Sequence, residues 1–217
     1  MNYSVNKTYR FSNVRGRGDQ YMDWFSIENK TIANQGGIRV RSFWKKNIVK
    51  PPYNIPSLFI LISNNHEKNK SNVPWEPAEF DRDKGFLIYK GDSRKYKKNS
   101  SIQDPRNKLE HMGNKQFKKI EDLLSEKNYY WLPPILYFSS VSMSFYDFKG
   151  LFIPKKISTY YDSSTQVEKD NYKLHCVRTP STDIPLNWLR DRCQTNDIDN
   201  FDKNFAPQSW NKRSSYF

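Results

Sequence analysis

Short apolar runs recur along the chain, each bounded by Pro, Gly, Asn or Asp: Ile38–Phe43, Leu58–Ser63, Gly85–Tyr89, Ile135–Ser139, Leu151–Ile157 and Tyr172–Val177. They are rich in β-branched and aromatic residues, and this length and punctuation predict the strands of a β-rich domain. Leu58-Phe59-Ile60-Leu61-Ile62 is apolar without a break, which predicts a central strand covered on both faces. Two segments carry helical spacing. Phe117, Ile120, Leu123 and Leu124 share one face of Lys115–Lys127, with Asn114 placed to cap it. Pro185–Cys193 reads as a second helix, with Pro185 near the first turn and Leu186, Trp188 and Leu189 available for packing. The pattern predicts one α+β, mainly β domain, a twisted barrel flanked by a few helices. From Gln194 on the chain reads as irregular. Its Ala206-Pro207-Gln208-Ser209-Trp210 either packs an aromatic anchor or begins a connection to another part.

Composition narrows the class. A chain of 217 residues can bury a core, and 16% aromatic residues argue against intrinsic disorder. No apolar run approaches the roughly 18 residues of a membrane span, and the first ten residues are polar, unlike a secretory signal. No membrane partner is expected. Cys176 and Cys193 are too few for a disulfide framework or a Cys-rich zinc site, so a reducing, cytoplasmic setting is expected.

Charge changes the picture most. Lys and Arg number 36 against 23 Asp and Glu, a net charge of +13 that points to a polyanionic partner. The excess is clustered. Arg39, Arg41, Lys45, Lys46 and Lys50 follow one another with no acid among them. Arg82, Lys84, Lys90, Arg94, Lys95, Lys97 and Lys98 interleave with Phe86, Tyr89 and Tyr96. Cations neutralise phosphates and release counterions, while aromatics stack on unpaired bases. Either run alone reads as a solvated face; two runs flanking one Gly-rich hairpin favour binding.

Asp81-Arg82-Asp83-Lys84-Gly85-Phe86-Leu87-Ile88-Tyr89-Lys90-Gly91-Asp92 is the most informative stretch. On an extended chain, positions i and i+2 point the same way, so Asp81 and Asp83 are expected to face one cavity. By itself the stretch reads better as an ordinary turn before a strand. Its neighbours are not ordinary: Gly36-Gly37-Ile38, Leu61–Asn65, Gly113-Asn114 and Lys149-Gly150-Leu151 flank it in an order that resembles the SRA (SET- and RING-associated) domain over about residues 33–155. With Pro74-Trp75, Trp188, Arg190, Arg192 and 206–210 added, almost the whole chain resembles the N-terminal specificity region of AspBHI-type (MspJI-like) modification-dependent restriction endonucleases.

The resemblance implies an SRA/PUA-like barrel over 1–193 and, over 194–217, an extension toward an absent nuclease domain. It implies a reader of 5-methylcytosine or 5-hydroxymethylcytosine in double-stranded DNA that works by base flipping, in a bacterial restriction system. In that family the Asp at the position of Asp81 accepts the amine of the flipped cytosine, and the Tyr at the position of Tyr89 stacks on it. The spacing from Gly85 to Tyr89 is one residue shorter than the SRA pattern. The second stacking aromatic is replaced by Ala78, leaving Trp75 or Phe80 to supply a face, with Asp83 alongside. The loop that fills the vacated stack corresponds to Asn34, Gln35 and Gly36, with Gln35 able to bond an orphan guanine. The loop Ser93–Met112 enters the other groove with Arg94, Lys95, Lys97, Lys98, Arg106 and Lys108. Arg39, Arg41, Lys45, Lys46, Asn64, Asn65 and Lys90 complete the expected DNA contacts.

No catalytic residue or metal ligand is expected in this chain. Asp147-Phe148-Lys149 fits the Asp-x-Lys fragment of a PD-(D/E)XK nuclease but lacks a second acid, and His66, His111 and His175 are scattered. The resemblance places an Mrr-like nuclease, its Mg²⁺ and any homo-oligomer contact in the absent domain. Two other functions remain open at this level: a reader of unmodified DNA in a conventional type II restriction enzyme, and a modified-RNA-binding module of YTH or EVE type.

Overall fold

The computed structural model describes residues 1–10, 37–43, 51–64, 78–91, 113–142, 145–162 and 169–217. The strands are β1 (Asn2–Ser4), β2 (Thr8–Arg10), β3 (Ile38–Arg41), β4 (Leu58–Asn64), β5 (Glu79–Asp81), β6 (Phe86–Lys90), β7 (Ile135–Ser142), β8 (Phe145–Asp162), β9 (Lys169–Arg178) and β10 (Asp183–Pro185). The helices are α1 (Lys115–Ser125), α2 (Leu186–Asp191), α3 (Ile198–Phe205) and α4 (Gln208–Asn211). All six expected strands and both expected helices are present. The fold is mainly β with a few helices.

One sheet runs in the order β3-β4-β7-β8-β9-β6-β5, with β2 pairing the first part of β8; β1 and β10 form a separate pair. Among the described residues no ladder joins β3 to β5, so the twisted sheet does not close into the expected barrel. As expected, β4 is central and doubly covered. It lies between β3 and β7, and Leu58 to Ile62 are all buried. Its alternate residues face two cores: Leu58, Ile60 and Ile62 meet Tyr3, Phe138, Phe148 and Trp188 on one side. Phe59 and Leu61 meet Phe117, Ile120 and Tyr137 on the other, beneath α1. Each such side chain contributes about 1.5–3 kcal/mol of burial.

Three local expectations are corrected. Asn114 does not cap α1 through its side chain; that amide donates instead to Asn171 Oδ1 at 3.0 Å. Strand β5 was not apparent in the pattern, since Glu79-Phe80-Asp81 is too short and polar to stand out. The tail is not irregular. It forms α3, α4 and a 3₁₀ turn at Arg213–Tyr216, and Trp210 is the aromatic anchor, fully buried. No described helix is long and apolar enough to cross a membrane.

A buried ionic node fastens that tail. Asp202, 1% exposed, accepts from Trp188 Nε1 (2.8 Å), Trp210 Nε1 (3.0 Å) and Arg192 Nε (3.1 Å), and Arg213 lies at 3.4 Å. Arg192 reaches onward to the carbonyls of Ser57 (2.6 Å) and Leu132 (3.3 Å), just before β4 and β7. Arg213 donates to the carbonyls of Tyr129 and Tyr130. Burial pushes the Asp202 carboxyl up, but the two guanidiniums and two indoles outweigh it and hold it below the usual carboxylate range. Burial pushes Arg213 down to about 10, against the pull of Asp202.

Removing one partner of such a node strands the others, which costs about 3–5 kcal/mol. Asp202→Ala should lower unfolding stability by that amount in chemical denaturation, and a loss below about 1 kcal/mol would contradict the node's role. Because the folded carboxyl titrates below the unfolded one, its contribution is complete above about pH 4 and disappears as pH falls through the folded value. Stability measured from neutral pH down to pH 2 should therefore show an acid-labile component that Asp202→Asn removes.

Candidate nucleic-acid interface

Five sequence-distant segments meet at one end of the sheet. The Ile62 amide donates to Gly37 O (2.7 Å), and the Tyr89 hydroxyl donates to Ile62 O (2.8 Å). A Cβ on Gly37 would lie 2.1 Å from the Tyr89 oxygen, so only glycine permits this approach. The Gly91 amide donates to Tyr172 O (2.8 Å), and Asn171, fully buried, donates to Gly91 O (3.1 Å) while accepting from Asn114 (3.0 Å). Gly113 packs on Ile38, where a Cβ would lie 3.2 Å from the Ile38 Cβ. Segment 11–36, with the expected infilling loop, thus ends beside both roots of segment 92–112, with the expected basic loop. These two stretches lie 55 or more residues apart in sequence by their numbering, and the sheet brings their roots together.

The residues expected to bind DNA fall into three groups. Trp75, Asn34, Gln35, Gly36, Lys45, Lys46, Asn65, Arg94, Lys95, Lys97, Lys98, Arg106 and Lys108 lie outside the described residues. Asn64 ends β4 at the meeting point, and Lys90 ends β6 there, half-buried, with its ammonium 5.8 Å from the Tyr160 ring centre. Arg39 and Arg41 are corrected. They are 9% and 6% exposed rather than on an open surface, because alternation along β3 turns them onto the sheet face opposite Ile38 and Val40. Burial lowers both guanidinium pKa values, and Cys193 and Asp191 offset part of the loss for Arg41.

The base-pocket candidates do not share one face. In the β5–β6 ladder Asp81 stands opposite Phe86, and Phe80 opposite Leu87. Tyr89 follows Leu87 by two, so it lies on the Phe80 side. There it is a core ring, 2% exposed, edge-on to Phe117 at 6.5 Å. Phe80 is half-buried on the same side, edge-on to Tyr137 (5.5 Å) and Phe152 (6.0 Å), with Ala78 near it in the same cluster. Asp81 lies on the other side with Phe86, Ile88 and Lys90. Asp83 does not extend the strand beside Asp81. It sits in the turn, and Asp81 Oδ1 accepts the amides of Asp83 (3.0 Å) and Lys84 (2.9 Å). An aspartate in this position builds its own turn, and that local bonding overrides strand alternation. The side chain of Asp81 is 31% exposed, and its Oδ2 stands 3.8 Å from the Lys84 ammonium. Phe86, half-buried and opposite Asp81, stood out in the sequence only as an aromatic among the basic residues and not as a pocket ring. Its signal was the hairpin register, which depends on turn length.

The Asp-x-Lys fragment forms an internal ion pair. Lys149 Nζ lies 3.1 Å from Asp147 Oδ2, and Thr8 Oγ1 donates to Oδ1 at 2.6 Å. Burial raises this carboxyl, but Thr8 and Lys149 outweigh it and lower its pKa. Among the described residues no group of three or more His, Cys, Asp or Glu side chains could hold a metal. His175 lies on β9 as expected, with Nε2 2.9 Å from Ser158 Oγ, and Cys176 is buried with its thiol pKa pushed well up by burial.

Residues 3–215 match the family model described as restriction endonuclease AspBHI N-terminal. The chain belongs to this family. It is similar in structure to the DNA modification-dependent restriction endonuclease AspBHI, at 21% identity and a TM-score of 0.67, covering 100% of this chain and 91% of that one. It is similar to the MspJI restriction endonuclease in complex with a 27-mer oligonucleotide at 19% identity and TM-score 0.72, covering 98% of this chain and 51% of that one. The DNA recognition domain of the cytosine modification-dependent restriction endonuclease LpnPI follows at 18% identity and TM-score 0.58, covering 94% and 87%. At these identities the likeness speaks to the fold. No curated protein matches the sequence. The AspBHI N-terminal family domain therefore accounts for nearly the whole chain, including the tail held by Asp202.

The position of Tyr89 is open to a direct check. Tyr89→Phe should cost about 1 kcal/mol of stability, since it strips the hydroxyl from the Ile62 carbonyl. It should leave discrimination between modified and plain duplexes unchanged in a binding titration. A selective loss on modified duplex would instead place Tyr89 against the base.

Proposed function

We propose that this domain reads a modified cytosine, 5-methylcytosine or 5-hydroxymethylcytosine, in duplex DNA by flipping it out of the stack, as the specificity part of a restriction endonuclease. Family membership and the names of its structural relatives support the partner, and the Asp81 carboxylate carries the chemistry. Two backbone amides pin Oδ1, while Oδ2 stands beyond hydrogen-bond length from Lys84. Cytosine offers an N4 amine donor where thymine offers an acceptor, so a fixed carboxylate accepts the first and repels the second.

Base extrusion costs a few kcal/mol. Stacking at about 1–3 kcal/mol per base, with Gln35 filling the vacated stack, offsets it. Phe86 is the stacking ring in this proposal, because it shares the Asp81 face, with Trp75 as the second aromatic. The basic loop 93–112 supplies phosphate contacts that position the duplex without reading its sequence. Recognition needs no cofactor, and cleavage with its Mg²⁺ is assigned to a separate nuclease domain.

Asp81→Asn is the informative substitution, because an Asn Oδ1 still accepts the two turn amides while the charge is lost. Binding titrations with duplexes that differ by one 5-methylcytosine should show about 10- to 100-fold weaker binding of Asp81→Asn to the modified duplex, the worth of a charged hydrogen bond. Binding to the plain duplex should barely change, and Phe86→Ala should show the same selectivity. Equal losses on both duplexes would favour a sequence reader that does not flip. Preference for single-stranded RNA would favour an RNA module.

A further inference from the structure

The sheet face that carries Asp81 continues into an open, cationic surface at the loop-root end. Across β6, β9 and β8 the register sets Lys90 opposite Lys173, Lys173 opposite Ser158, and His175 opposite both Ile88 and Lys156. Opposed residues project to the same face, so Lys90, Lys173, Lys156 and His175 form one patch. Two of these ammoniums approach one ring: Lys173 Nζ is 4.9 Å and Lys90 Nζ 5.8 Å from the Tyr160 centre. His175 is half-buried here, and Lys156 and Lys173 add to burial in lowering its pKa, with Glu79 opposing them.

This arrangement works against the isolated fold. Like charges directly opposite across a ladder are destabilising, and Lys90 and Lys173 are directly opposite. Among the described residues no carboxylate forms an ion pair with Lys156 or Lys173. Lys118, Lys149 and Lys203, in contrast, are each paired with an acid. Lys156 and Lys173 thus present charge that an external polyanion can neutralise. The patch begins at Lys90, next to the root of the basic loop, and lies on the same side as Asp81. Lys90 lies four positions along β6 from Phe86, about 13 Å at the rise of a strand, which is close to the width of a major groove.

We propose that Lys156 and Lys173, with Lys90, form a track for the phosphodiester backbone of the duplex, running over the Asp81 face from the loop roots. The track rests on the reading of this domain as a duplex-DNA reader, and it adds Lys156 and Lys173 to the interface. Phosphate contacts carry no sequence information, so the track contributes equally to modified and plain DNA.

The test compares Lys156→Gln/Lys173→Gln with a charge-matched control, Lys118→Gln/Lys203→Gln, by fluorescence anisotropy on modified and plain duplexes over a salt series. The track variant should lower the slope of log K against log salt by about 1.8, at about 0.9 per lost contact, equally on both duplexes. The control should keep the parent slope. Thermal melts of the track variant should not fall below the parent, so a lost slope does not reflect unfolding. An unchanged slope, or one shared with the control, overturns the track while leaving the duplex-reading function intact. A loss confined to modified duplex also overturns it, since that is the behaviour of a base contact. Failure of the parent protein to bind any duplex overturns the duplex-reading function itself, and the track with it.

Discussion

One buried carboxylate ties the C-terminal helices to the centre of the sheet. Asp202 collects two indole N–H groups and two guanidiniums in a site closed to water, and Arg192 extends the node to the chain just before β4 and β7. Those two strands are parallel neighbours at the centre of the sheet. A parallel pair cannot be joined by a tight turn, so the chain leaves β4, builds β5, β6 and α1, and only then returns to β7. The node fixes the starts of both strands from outside the ladder. With them it seats the helices that cover the core of Tyr3, Phe138, Phe148 and Trp188. A charge buried this deeply survives because every partner is in place, and that requirement makes the tail part of the same folded unit as the sheet.

The same parallel crossing creates the candidate interface. The excursion between β4 and β7 contains both the Asp81 hairpin and the basic loop; because the strands are parallel it returns at the opposite end of the sheet, and the loop roots lie at the end where it leaves β4. The hydrogen bonds of Gly37, Tyr89, Gly91, Asn114 and Asn171 gather the loop roots there. Glycine is needed at Gly37 and Gly91 because neighbouring side-chain oxygens occupy the space of a Cβ. Buried amide networks of this kind are costly when half satisfied, so they define a single position for the roots from which the loops depart.

Turn length decides which side chains can work together. A ladder has a period of two, so one residue more or less in the β5–β6 turn moves every later side chain to the other face. The turn built by Asp81 places Phe86, Ile88 and Lys90 on the side of that carboxylate and sends Leu87 and Tyr89 into the core. In the proposed pocket this register puts Phe86, rather than Tyr89, on the side of Asp81. It also aligns Asp81 with the lysines of β6, β8 and β9, so the proposed base contact and backbone contacts occupy one surface.

Strands, helices, net charge and the order of the Gly- and Asp-containing motifs were legible in the sequence, because each depends on residues close together in the chain or on composition alone. The continuous apolar run Leu58–Ile62 is enough to identify a doubly covered strand, and the motif order is enough to suggest the family. Facing and partnership were not legible. Arg39 and Arg41 read as surface cations and Tyr89 as a stacking ring, and only the register of β3 and β6 turns them inward. Nothing local to Asp202 marks it as the centre of four side chains drawn from α2, α4 and the turns that follow each of them. Local pattern sets what each segment becomes, whereas the other side of every contact comes from elsewhere in the chain and exists only once the sheet has formed.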